Sequence, residues 1–346
     1  MSTGVVAVDV GGSATRLRAA VFPDGDPDTY PSGFPDSRPG GDAEPDVLPI
    51  VTGRPVRVTP GGSDAVDVVM KLVRRFRRAH PEVTVVAAAA GVTGLASLPA
   101  ESSAMHTVLG AELGAERTAV AADALTAHLG ALGGRPGAVV VAGVGAMALG
   151  TDLRRHWHRS DGWGPSLGDL GSGAWIGAAG LRAALAAHDG RPAGASPTLL
   201  AMAVQLLGPV SEWRPTLVSR GDRSQLIASF APAVAEAARV GDIAAVRALE
   251  QAGVHLAETL VAALVPGVPE LASATGGALT AGPSLSDAFV RRFTELRPAI
   301  ELVPAAGPPL DGVLLLARSL TGPPIVEAHE PWLTVRTRQK EMPRGW

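Results

Sequence analysis

Short apolar runs alternate with amphipathic segments along most of the chain. Residues 5–8, 83–90 and 138–142 are rich in valine and alanine and lead into glycine, which predicts buried strands. Between such runs, apolar positions recur every three or four residues, most clearly over residues 63–80, and this spacing predicts helices. The alternation of the two patterns predicts an α/β fold.

Two glycine-bearing turns each join one predicted strand to another. The first reads Asp-Val-Gly-Gly-Ser-Ala-Thr-Arg at 9–16, and the second reads Val-Ala-Gly-Val-Gly-Ala at 141–146. A dinucleotide-binding turn would open a helix and a P-loop would carry Gly-Lys-Ser/Thr, so neither motif is present. One such turn could be an ordinary hairpin. The pair indicates an internal duplication, with a nucleotide held between two related halves.

Glycines in these turns let a phosphate approach backbone N–H groups, because no Cβ stands in the way. In the first turn, Ser13 and Thr15 would add hydroxyl donors to Gly11 and Gly12. Asp9, at the end of the first strand, is placed to hold a hydrated Mg²⁺.

Composition excludes several classes of protein. The 346 residues suggest about two domains, and a net charge of −3 with 4% aromatic residues argues against a nucleic-acid partner. No membrane span is expected, since charged residues interrupt every apolar run. The absence of cysteine excludes disulfides, thiolate zinc sites and iron–sulfur ligation. The first residues lack a basic segment before the apolar run, so we expect a cytoplasmic protein.

Taken in order, these motifs resemble the sugar kinase, actin and heat-shock ATPase superfamily, in particular its N-acetylglucosamine kinase and BadF/BadG-type ATPase branch. The resemblance covers nearly the whole chain. The matching segments are phosphate loops at 9–16 and 143–146, Ala-Asp-Ala at 122–124, Gly-Trp-Gly-Pro-Ser-Leu-Gly-Asp-Leu-Gly-Ser-Gly at 162–173, and Gly-Gly-Ala at 276–278.

The resemblance implies two ribonuclease-H-like lobes with a nucleotide cleft between them. The first lobe would span residues 1–118, with a long Pro/Gly-rich loop at 23–63 and a helix at 309–321 that is a candidate to return to it. The second lobe would span 119–308 with helical insertions, and 322–346 would form a tail.

The resemblance also assigns roles to individual residues. Asp123 would position the 6-hydroxyl of an amino sugar and accept its proton, with ATP and Mg²⁺ as cofactors. Sugar contacts would come from Gly162, Trp163 and Asp169. Nucleotide contacts would come from Asp9, Gly11, Gly12, Ser13, Thr15, Gly143, Val144, Gly145, Gly276, Gly277 and Ala278.

Plainer interpretations stay open for four of these features. Asp123 and Asp169 each stand where an aspartate commonly caps a helix. Trp163 either packs on the sugar or fills a core. His156 and His158 flank one residue of a predicted strand, which would place both on one face as a metal pair, but no third ligand stands nearby.

Departures from the family pattern leave the function open as well. The second phosphate loop lacks hydroxyls, with Val144 and Ala146 in place of the usual Thr and Ser, and Leu170 replaces a glutamate. The sugar-binding asparagine that the resemblance implies near residues 60–63 is not evident, which leaves Ser63 as a candidate stand-in. We expect a kinase for N-acetylglucosamine, and keep as alternatives a kinase for glucosamine or another hexose and a sugar- and ATP-binding regulatory protein. The activator ATPases of the same branch need cysteine-held clusters and are excluded. A homodimer is possible.

Overall fold

The computed structural model describes residues 2–12, 14–22, 45–59, 62–94 and 99–338. It divides into two compact units, of which the first comprises Met1–Arg135 with Ala305–Trp346 and the second Pro136–Pro304. The second unit is therefore inserted between two segments of the first. The first boundary predicted from the sequence, at residue 118, lies inside a strand that belongs to the first unit, and the first segment of that unit ends at Arg135.

The described residues form fourteen strands: β1 (Ser2–Val10), β2 (Thr15–Phe22), β3 (Asp46–Val47), β4 (Val51–Gly53), β5 (Val58–Thr59), β6 (Gly62–Ser63), β7 (Val83–Val92), β8 (Arg117–Ala122), β9 (Gly137–Ala142), β10 (Ala146–Thr151), β11 (Trp157–Asp161), β12 (Leu271–Thr275), β13 (Glu301–Val303) and β14 (Leu333–Thr337).

They also form eleven α-helices: α1 (Ala65–Ala79), α2 (Pro99–Leu113), α3 (Asp123–Leu132), α4 (Gly173–His188), α5 (Pro197–Leu207), α6 (Val210–Ser219), α7 (Arg223–Ala228), α8 (Ala231–Arg239), α9 (Ile243–Ala263), α10 (Pro283–Leu296) and α11 (Pro309–Ser319). A short 3₁₀ helix covers Gly277–Thr280.

The first unit is built on a mixed sheet with strand order β14-β8-β7-β1-β2-β3, and β4 also pairs with β2. The strands β1, β7 and β8 run parallel, so their carboxyl ends share one edge of the sheet. The strand β2 returns antiparallel to β1 through the first glycine turn, as the sequence predicted. Helices α1 and α2 make the crossovers that parallel pairing requires.

Helices cover both faces of this sheet, because successive side chains of a strand point to opposite sides. Val8, Val10 and Leu17 belong to the apolar core that includes α1 and α2. The helices α3 and α11 pack against each other, and α11 lies on β1, β2 and β7. Asp9 lies between Val8 and Val10 in the strand and therefore faces the α3 and α11 side.

Helix α11 approaches α3 closely at two glycines. A Cβ on Gly312 would lie 2.0 Å from the Thr126 carbonyl oxygen, and a Cβ on Gly130 would lie 2.4 Å from the Pro308 carbonyl oxygen. The helix predicted at 309–321 thus belongs to the first unit, as proposed from the sequence.

The segment after α11 is more than a tail. Leu333–Thr337 forms β14 and pairs antiparallel with β8, with Leu333 opposite Ala121. His106 of α2 supports this strand through its ring nitrogens, which lie 2.7 Å from Thr118 Oγ1 and 2.9 Å from Thr334 Oγ1. The predicted tail over 322–346 was wrong for this part because a single edge strand without clear alternation gives little signal in sequence.

The second unit is built on a five-stranded sheet with strand order β11-β10-β9-β12-β13. The strands β9 and β10 form the second predicted hairpin, and β12 pairs parallel with β9. Its apolar core lies under α4, α8, α9 and α10. Gly253 lets α9 and α10 pack closely, since a Cβ there would lie 2.3 Å from the Leu285 carbonyl oxygen.

We expect the Gly312→Ala variant to be less stable than the native protein. Alanine favours a helix over glycine by about 1 kcal/mol, but forcing a Cβ against a carbonyl in a packed contact costs about 1–3 kcal/mol. The contact dominates, so the unfolding temperature should fall by several degrees in calorimetry. Gly322→Ala is the control, because a Cβ there meets nothing within 4 Å. An equal unfolding temperature for both variants would contradict this account of the α3 and α11 packing.

Candidate functional site

The carboxyl ends of β1, β7 and β8 bring together polar residues that are distant in sequence. Asp9 pairs with Gly91, and Gly91 pairs with Ala121. The Thr93 amide donates to the Val10 carbonyl oxygen at 3.1 Å, so this edge continues past the strands. Asp123 follows β8 directly as the first residue of α3. Parallel pairing therefore places Asp9, Thr93 and Asp123 on one edge of the sheet.

Asp123 is partly buried at this edge. Its Oδ1 accepts from the Ala124 amide at 2.9 Å, and its carboxylate also accepts from the Thr93 side chain. Burial raises the pKa of Asp123, and these hydrogen bonds oppose the rise. Ala122 holds the N-cap position of α3, so the carboxylate stands one residue inside the helix. A carboxylate that prefers a proton more than usual is suited to accept one from an alcohol.

Asp9 is nearly buried, with 8% of the residue exposed. Burial raises its pKa to about 6, Arg16 opposes the rise, and the negative charge of Asp123 adds to it. The closest approach of Arg16 is 3.8 Å, from Nη1 to Asp9 Oδ2, which is longer than a hydrogen bond. Arg16 therefore forms a loose ion pair with Asp9 and no hydrogen bond at this distance. A desolvated carboxylate in this situation fits a divalent cation, whose remaining ligands would be water and phosphate oxygens.

The first glycine turn is held by backbone contacts. The Gly11 amide donates to the Ala14 carbonyl oxygen at 3.1 Å, and the Gly11 carbonyl oxygen accepts from the Val56 amide at 3.3 Å. Gly11 and Gly12 are both partly exposed at the turn. Ser13 lies outside the described residues. The turn therefore has the predicted position beside Asp9.

The Thr15 hydroxyl does not join this turn. Thr15 is fully buried, and its Oγ1 has no hydrogen-bond partner among the described residues. It lies on the same sheet face as Leu17, against the core that includes α1. The predicted contact of this hydroxyl with a phosphate was wrong, because strand alternation directs Arg16, and not Thr15, to the face of Asp9.

The second glycine turn, residues 143–145, meets the start of α4. The carbonyl oxygens of Gly143 and Val144 accept from the Gly173 and Ala174 amides at 2.8 and 3.1 Å. Val144 is 40% exposed, so its side chain faces solvent. Ala146 is buried, in contrast, and its amide donates to the Asp169 carboxylate. The turn is thus shaped by its backbone and not by hydroxyl side chains.

Asp169 connects the Gly-Trp-Gly loop to this turn. Its carboxylate accepts from the Gly164 amide at 3.3 Å and from the Ala146 amide. A Cβ on Gly145 would lie 2.9 Å from Asp169 Oδ2, so a larger residue there would require the Asp169 carboxylate to shift. Burial raises the pKa of Asp169, with the Asp161 charge acting in the same direction. Asp169 does not cap α4, because Ser172 does so by accepting from the Trp175 amide at 3.1 Å.

Asp161 organises the same loop and was missed in the sequence. Its two carboxylate oxygens accept from the Asp169 and Leu170 amides, each at 2.8 Å. A Cβ on Gly168 would lie 2.1 Å from Asp161 Oδ1, which excludes any larger residue in this conformation. Gly162 follows Asp161 with φ of 77°. The available signal was an aspartate directly before a glycine-rich segment, a common turn-forming pattern.

Trp163 is 66% exposed, and the interpretation that it fills a core was wrong. The Arg159 guanidinium carbon lies 4.1 Å from its ring centroid, which orients the ring by a cation–π contact. A surface cavity of about 270 Å³ borders Trp163, Leu167 and Leu170 on one side and Glu258 of α9 on the other. The residue that replaces glutamate, Leu170, is therefore one of the apolar side chains in a wall that also contains polar residues.

Gly276 brings the third predicted nucleotide segment to the second turn. A Cβ on Gly276 would lie 2.3 Å from the Ala142 carbonyl oxygen, and its φ is 116°, which favours glycine. The parallel pairing of β12 with β9 produces this approach, since Thr275 lies opposite Val141. Gly277 is exposed and Ala278 is buried at the start of the 3₁₀ helix. Both predicted nucleotide segments of the second unit thus share one edge of its sheet.

Two further sequence candidates have other partners. His156 lies before β11, not within it, and its Nδ1 lies 2.9 Å from Asp152 Oδ2. The described residues hold no group of three or more His, Asp or Glu side chains that could bind a metal ion. Ser63, the suggested sugar contact, donates from Oγ to Glu101 Oε2 at 2.7 Å. The Ser63 hydroxyl therefore anchors its own segment to α2.

Comparison with known proteins identifies the family of this chain. Residues 6–295 match the BadF/BadG/BcrA/BcrD ATPase family. The chain belongs to this ATPase family. This membership confirms the family relationship that the motifs predicted. It also confirms the prediction of an ATP-dependent enzyme. Among curated proteins, no sequence relative matches the chain.

Solved structures confirm the predicted fold class. A candidate N-acetylglucosamine kinase from Chromobacterium violaceum is 24% identical with a TM-score of 0.65, over 90% of this chain and 98% of that one. A second candidate N-acetylglucosamine kinase, from Porphyromonas gingivalis, is 16% identical with a TM-score of 0.64, over 91% and 99%. A glucokinase of the ROK family from Streptomyces griseus, in complex with glucose and AMPPNP, is 18% identical with a TM-score of 0.53, over 91% and 99%. At these identities the likeness concerns the fold.

None of the described helices combines the length and the apolar character needed to cross a membrane.

The raised pKa of Asp9 predicts a stability that depends on pH. In the folded protein the pKa of Asp9 is about 6, so Asp9 holds its proton up to about that pH. In the unfolded chain the same carboxyl has its ordinary pKa of 3.8. Stability should therefore fall as the pH rises from about 4 to about 6, because the folded state binds the proton more tightly in this window. Asp9→Asn removes this effect and should be more stable at pH 7.5 by about 1–3 kcal/mol.

Thermal unfolding at pH 4 and pH 7.5 measures the difference. The advantage of Asp9→Asn should shrink toward zero at pH 4. Asp67→Asn, at an exposed site of α1, controls for the loss of one negative charge. A pH-independent difference between Asp9→Asn and the native protein would count against a desolvated carboxyl at this position.

Proposed function

We propose that this protein is an ATP-dependent sugar kinase that phosphorylates an amino sugar, with N-acetylglucosamine at its 6-hydroxyl as the first candidate substrate. The observation that carries the proposal is the placement of Asp123 and Asp9 on one edge of a parallel sheet, beside the first glycine turn. Family membership and the folds of the candidate N-acetylglucosamine kinases support the same reaction class.

In this proposal Asp123 orients the acceptor alcohol and accepts its proton. The hydroxyl oxygen bonds to the γ-phosphorus of ATP, the bond from that phosphorus to the bridging oxygen breaks, and ADP leaves with the electron pair. Such transfers have a loose transition state, so orientation and charge stabilisation matter more than the strength of the base. The Thr93 hydrogen bond to Asp123 fixes the direction of the carboxylate.

Each unit, taken by itself, carries candidate nucleotide contacts in this proposal. The first unit offers backbone groups of Gly11 and Gly12, with Asp9 as the residue that holds Mg²⁺ through water. The cation would neutralise phosphate charge when bound. The second unit offers the turn at 143–145 for phosphate and the segment at 276–278 for adenosine. Gly276 suits that role because its backbone passes directly over Ala142.

The sugar contacts are proposed from the loop at 161–172. Trp163 supports this assignment because its ring is exposed and oriented by Arg159. Asp169 is half-buried and already accepts two backbone amides, so it has limited remaining capacity for a sugar hydroxyl. In this proposal the choice between N-acetylglucosamine and another hexose is assigned to this loop.

A regulatory protein that binds sugar and ATP without transfer is the second candidate. Val144 and Ala146 remove two hydroxyls from the second phosphate loop, which favours weaker nucleotide binding. A transcriptional regulator of the ROK family also shares the fold, at 13% identity and a TM-score of 0.53. Sugar binding without ADP release would support this candidate.

Asp123→Asn should abolish most of the kinase activity. Asparagine keeps the shape and the contact with Ala124 but cannot accept the proton, so kcat should fall about 10²- to 10⁴-fold. Coupled ADP release over a panel of N-acetylglucosamine, glucosamine and glucose measures this effect. Asp67→Asn is the matched control and should retain native kcat. Sugar-dependent ADP release that is equal in Asp123→Asn and the native protein would exclude Asp123 as the base.

Val144→Thr should strengthen nucleotide binding. Threonine has nearly the shape of valine and restores a hydroxyl at an exposed position of the turn. A hydrogen bond to a charged phosphate contributes about 1.5–3 kcal/mol, so the Kd for MgATP should fall about 10-fold or more. Val144→Ala controls for the altered side chain and should not show the gain. Unchanged Kd in both variants would show that this side chain does not reach the phosphates.

A further inference from the structure

We infer that the outer edge of strand β14 is a docking site for an extended, acidic segment of a partner protein, which would add one strand to the sheet of the first unit. The strand β14 is the outermost in the order β14-β8-β7-β1-β2-β3. Its open part lies beside the amino end of β8, because Thr337 pairs with Arg117, whereas Asp123 follows the carboxyl end of β8. Docking there does not depend on the proposed kinase reaction.

The backbone of β14 offers outward hydrogen-bonding groups at two residues. On the inner side, the Arg338 amide donates to the Glu116 carbonyl oxygen at 2.8 Å. Residues that bond the neighbouring strand alternate along an antiparallel pair. Val335 and Thr337, which alternate with the bonded positions, therefore direct their amides and carbonyl oxygens away from β8. No strand of the described residues pairs with them on that side.

The preceding outward residue, Leu333, already has a partner within the chain. Its amide donates to the His329 carbonyl oxygen at 2.9 Å, and its carbonyl oxygen accepts from the His329 amide at 3.1 Å. The described chain thus closes one end of the β14 edge and leaves the edge open at Val335 and Thr337. An open edge of this kind is a template for pairing with another extended segment.

Arginine side chains beside the open edge indicate the chemistry of the occupant. Arg336 and Arg338 alternate with Val335 and Thr337 and so share one face of the sheet. This is the face of α2, because Arg336 Nη1 donates to Ser103 Oγ at 3.1 Å. Both arginines are exposed, and neither forms an ion pair with another described residue. Guanidinium groups in this situation suit carboxylates, which they bind through paired hydrogen bonds.

A cavity of about 290 Å³ separates these arginines from the carboxyl-terminal half of α2. Gly110 and Ala111 contribute small residues to its lining, so side chains can enter from the edge. Glu116 is the one acid among the described lining residues, against two arginines. Burial lowers the pKa of His106 to about 4, with Arg336 acting in the same direction, so this ring is neutral at pH 7. The charged lining is therefore net positive.

These charges disfavour a second copy of this chain as the occupant. A pairing of two β14 strands that uses both Val335 and Thr337 would place Arg336 directly opposite Arg336 of the other copy, and like charges in that position destabilise a strand pair. The other face of the edge is apolar at Val335, which is 41% exposed. An added strand would lie about 4.8 Å away. The segment that fits alternates acidic residues on the α2 side with apolar residues on the Val335 side.

The test measures fluorescence anisotropy of a labelled, end-capped peptide, Ser-Glu-Val-Glu-Val-Glu-Ser, at pH 7.5. One control peptide has lysine in place of glutamate. A second keeps the glutamates but has proline in place of valine, which preserves the charge and prevents strand pairing. The proteins are the native chain, Arg336→Gln, Thr337→Pro, Thr337→Val and Arg78→Gln. Thermal unfolding confirms that the variants are folded.

The variants separate backbone pairing from charge. Thr337→Pro removes an outward amide and leaves the bonds of β14 to β8 in place, whereas Thr337→Val keeps that amide and is its matched control. Arg78 is an exposed arginine on α1, so Arg78→Gln loses the same charge as Arg336→Gln at a distant position.

We expect the acidic strand peptide to bind the native protein and both control peptides to bind far more weakly. Thr337→Pro should raise the Kd about 10-fold or more, and Arg336→Gln about 3- to 10-fold. Thr337→Val and Arg78→Gln should match the native protein. Bound peptide should also slow hydrogen exchange of the amides in residues 333–338.

Four results would overturn the inference. Absence of peptide binding to the native protein would exclude strand addition by an acidic segment. Equal binding of the proline-containing acidic peptide would reduce the effect to charge attraction alone. Tighter binding of a labelled single-stranded oligonucleotide, lost in Arg336→Gln, would assign these arginines to nucleic acid. A native dimer in sedimentation that Thr337→Pro dissociates would assign the edge to a second copy.

Discussion

The parallel pairing of β1, β7 and β8 is the constraint on which the candidate site depends. It places the end of each strand at one edge and so brings the carboxylate of Asp9 near that of Asp123, which lies more than a hundred residues away in sequence. Both carboxylates are desolvated there, and burial raises the pKa of each. The packed cores on the two faces of the sheet must offset this unfavourable burial.

Close backbone approach is the second organising feature, and glycine marks each instance. Gly312 lets α11 lie against α3, the helix that begins with Asp123, so the position of Asp123 depends on a contact without room for a side chain. In the second unit, Gly276 lies against Ala142 at the end of β9, and Gly145 lies against Asp169. The approach of Gly276 is to main-chain atoms and leaves no room for a Cβ, whereas the atoms beside Gly145 belong to a side chain.

The departures from the family pattern have different consequences once the contacts are known. Ala146 is buried with its amide on Asp169, so the turn keeps its shape without a hydroxyl at that position. Val144 is exposed, so the absence of a hydroxyl at this position does not affect the packing of the fold. It can affect only contacts with a bound molecule. Leu170 keeps its amide on Asp161 and exposes its side chain at a cavity, so this change alters the wall of that cavity.

The sequence by itself determined the α/β class and the two glycine hairpins, because strand runs and turn residues are local patterns. It also identified Asp9 and Asp123 as candidate site residues, because the order of the motifs can be followed along the chain. Only the tertiary structure decided that Thr15 is buried while Arg16 faces Asp9, that Asp161 supports the loop around Asp169, and that Leu333–Thr337 pairs with β8. These features depend on which strand lies beside which and which face is covered, and both are set by contacts between residues distant in the chain.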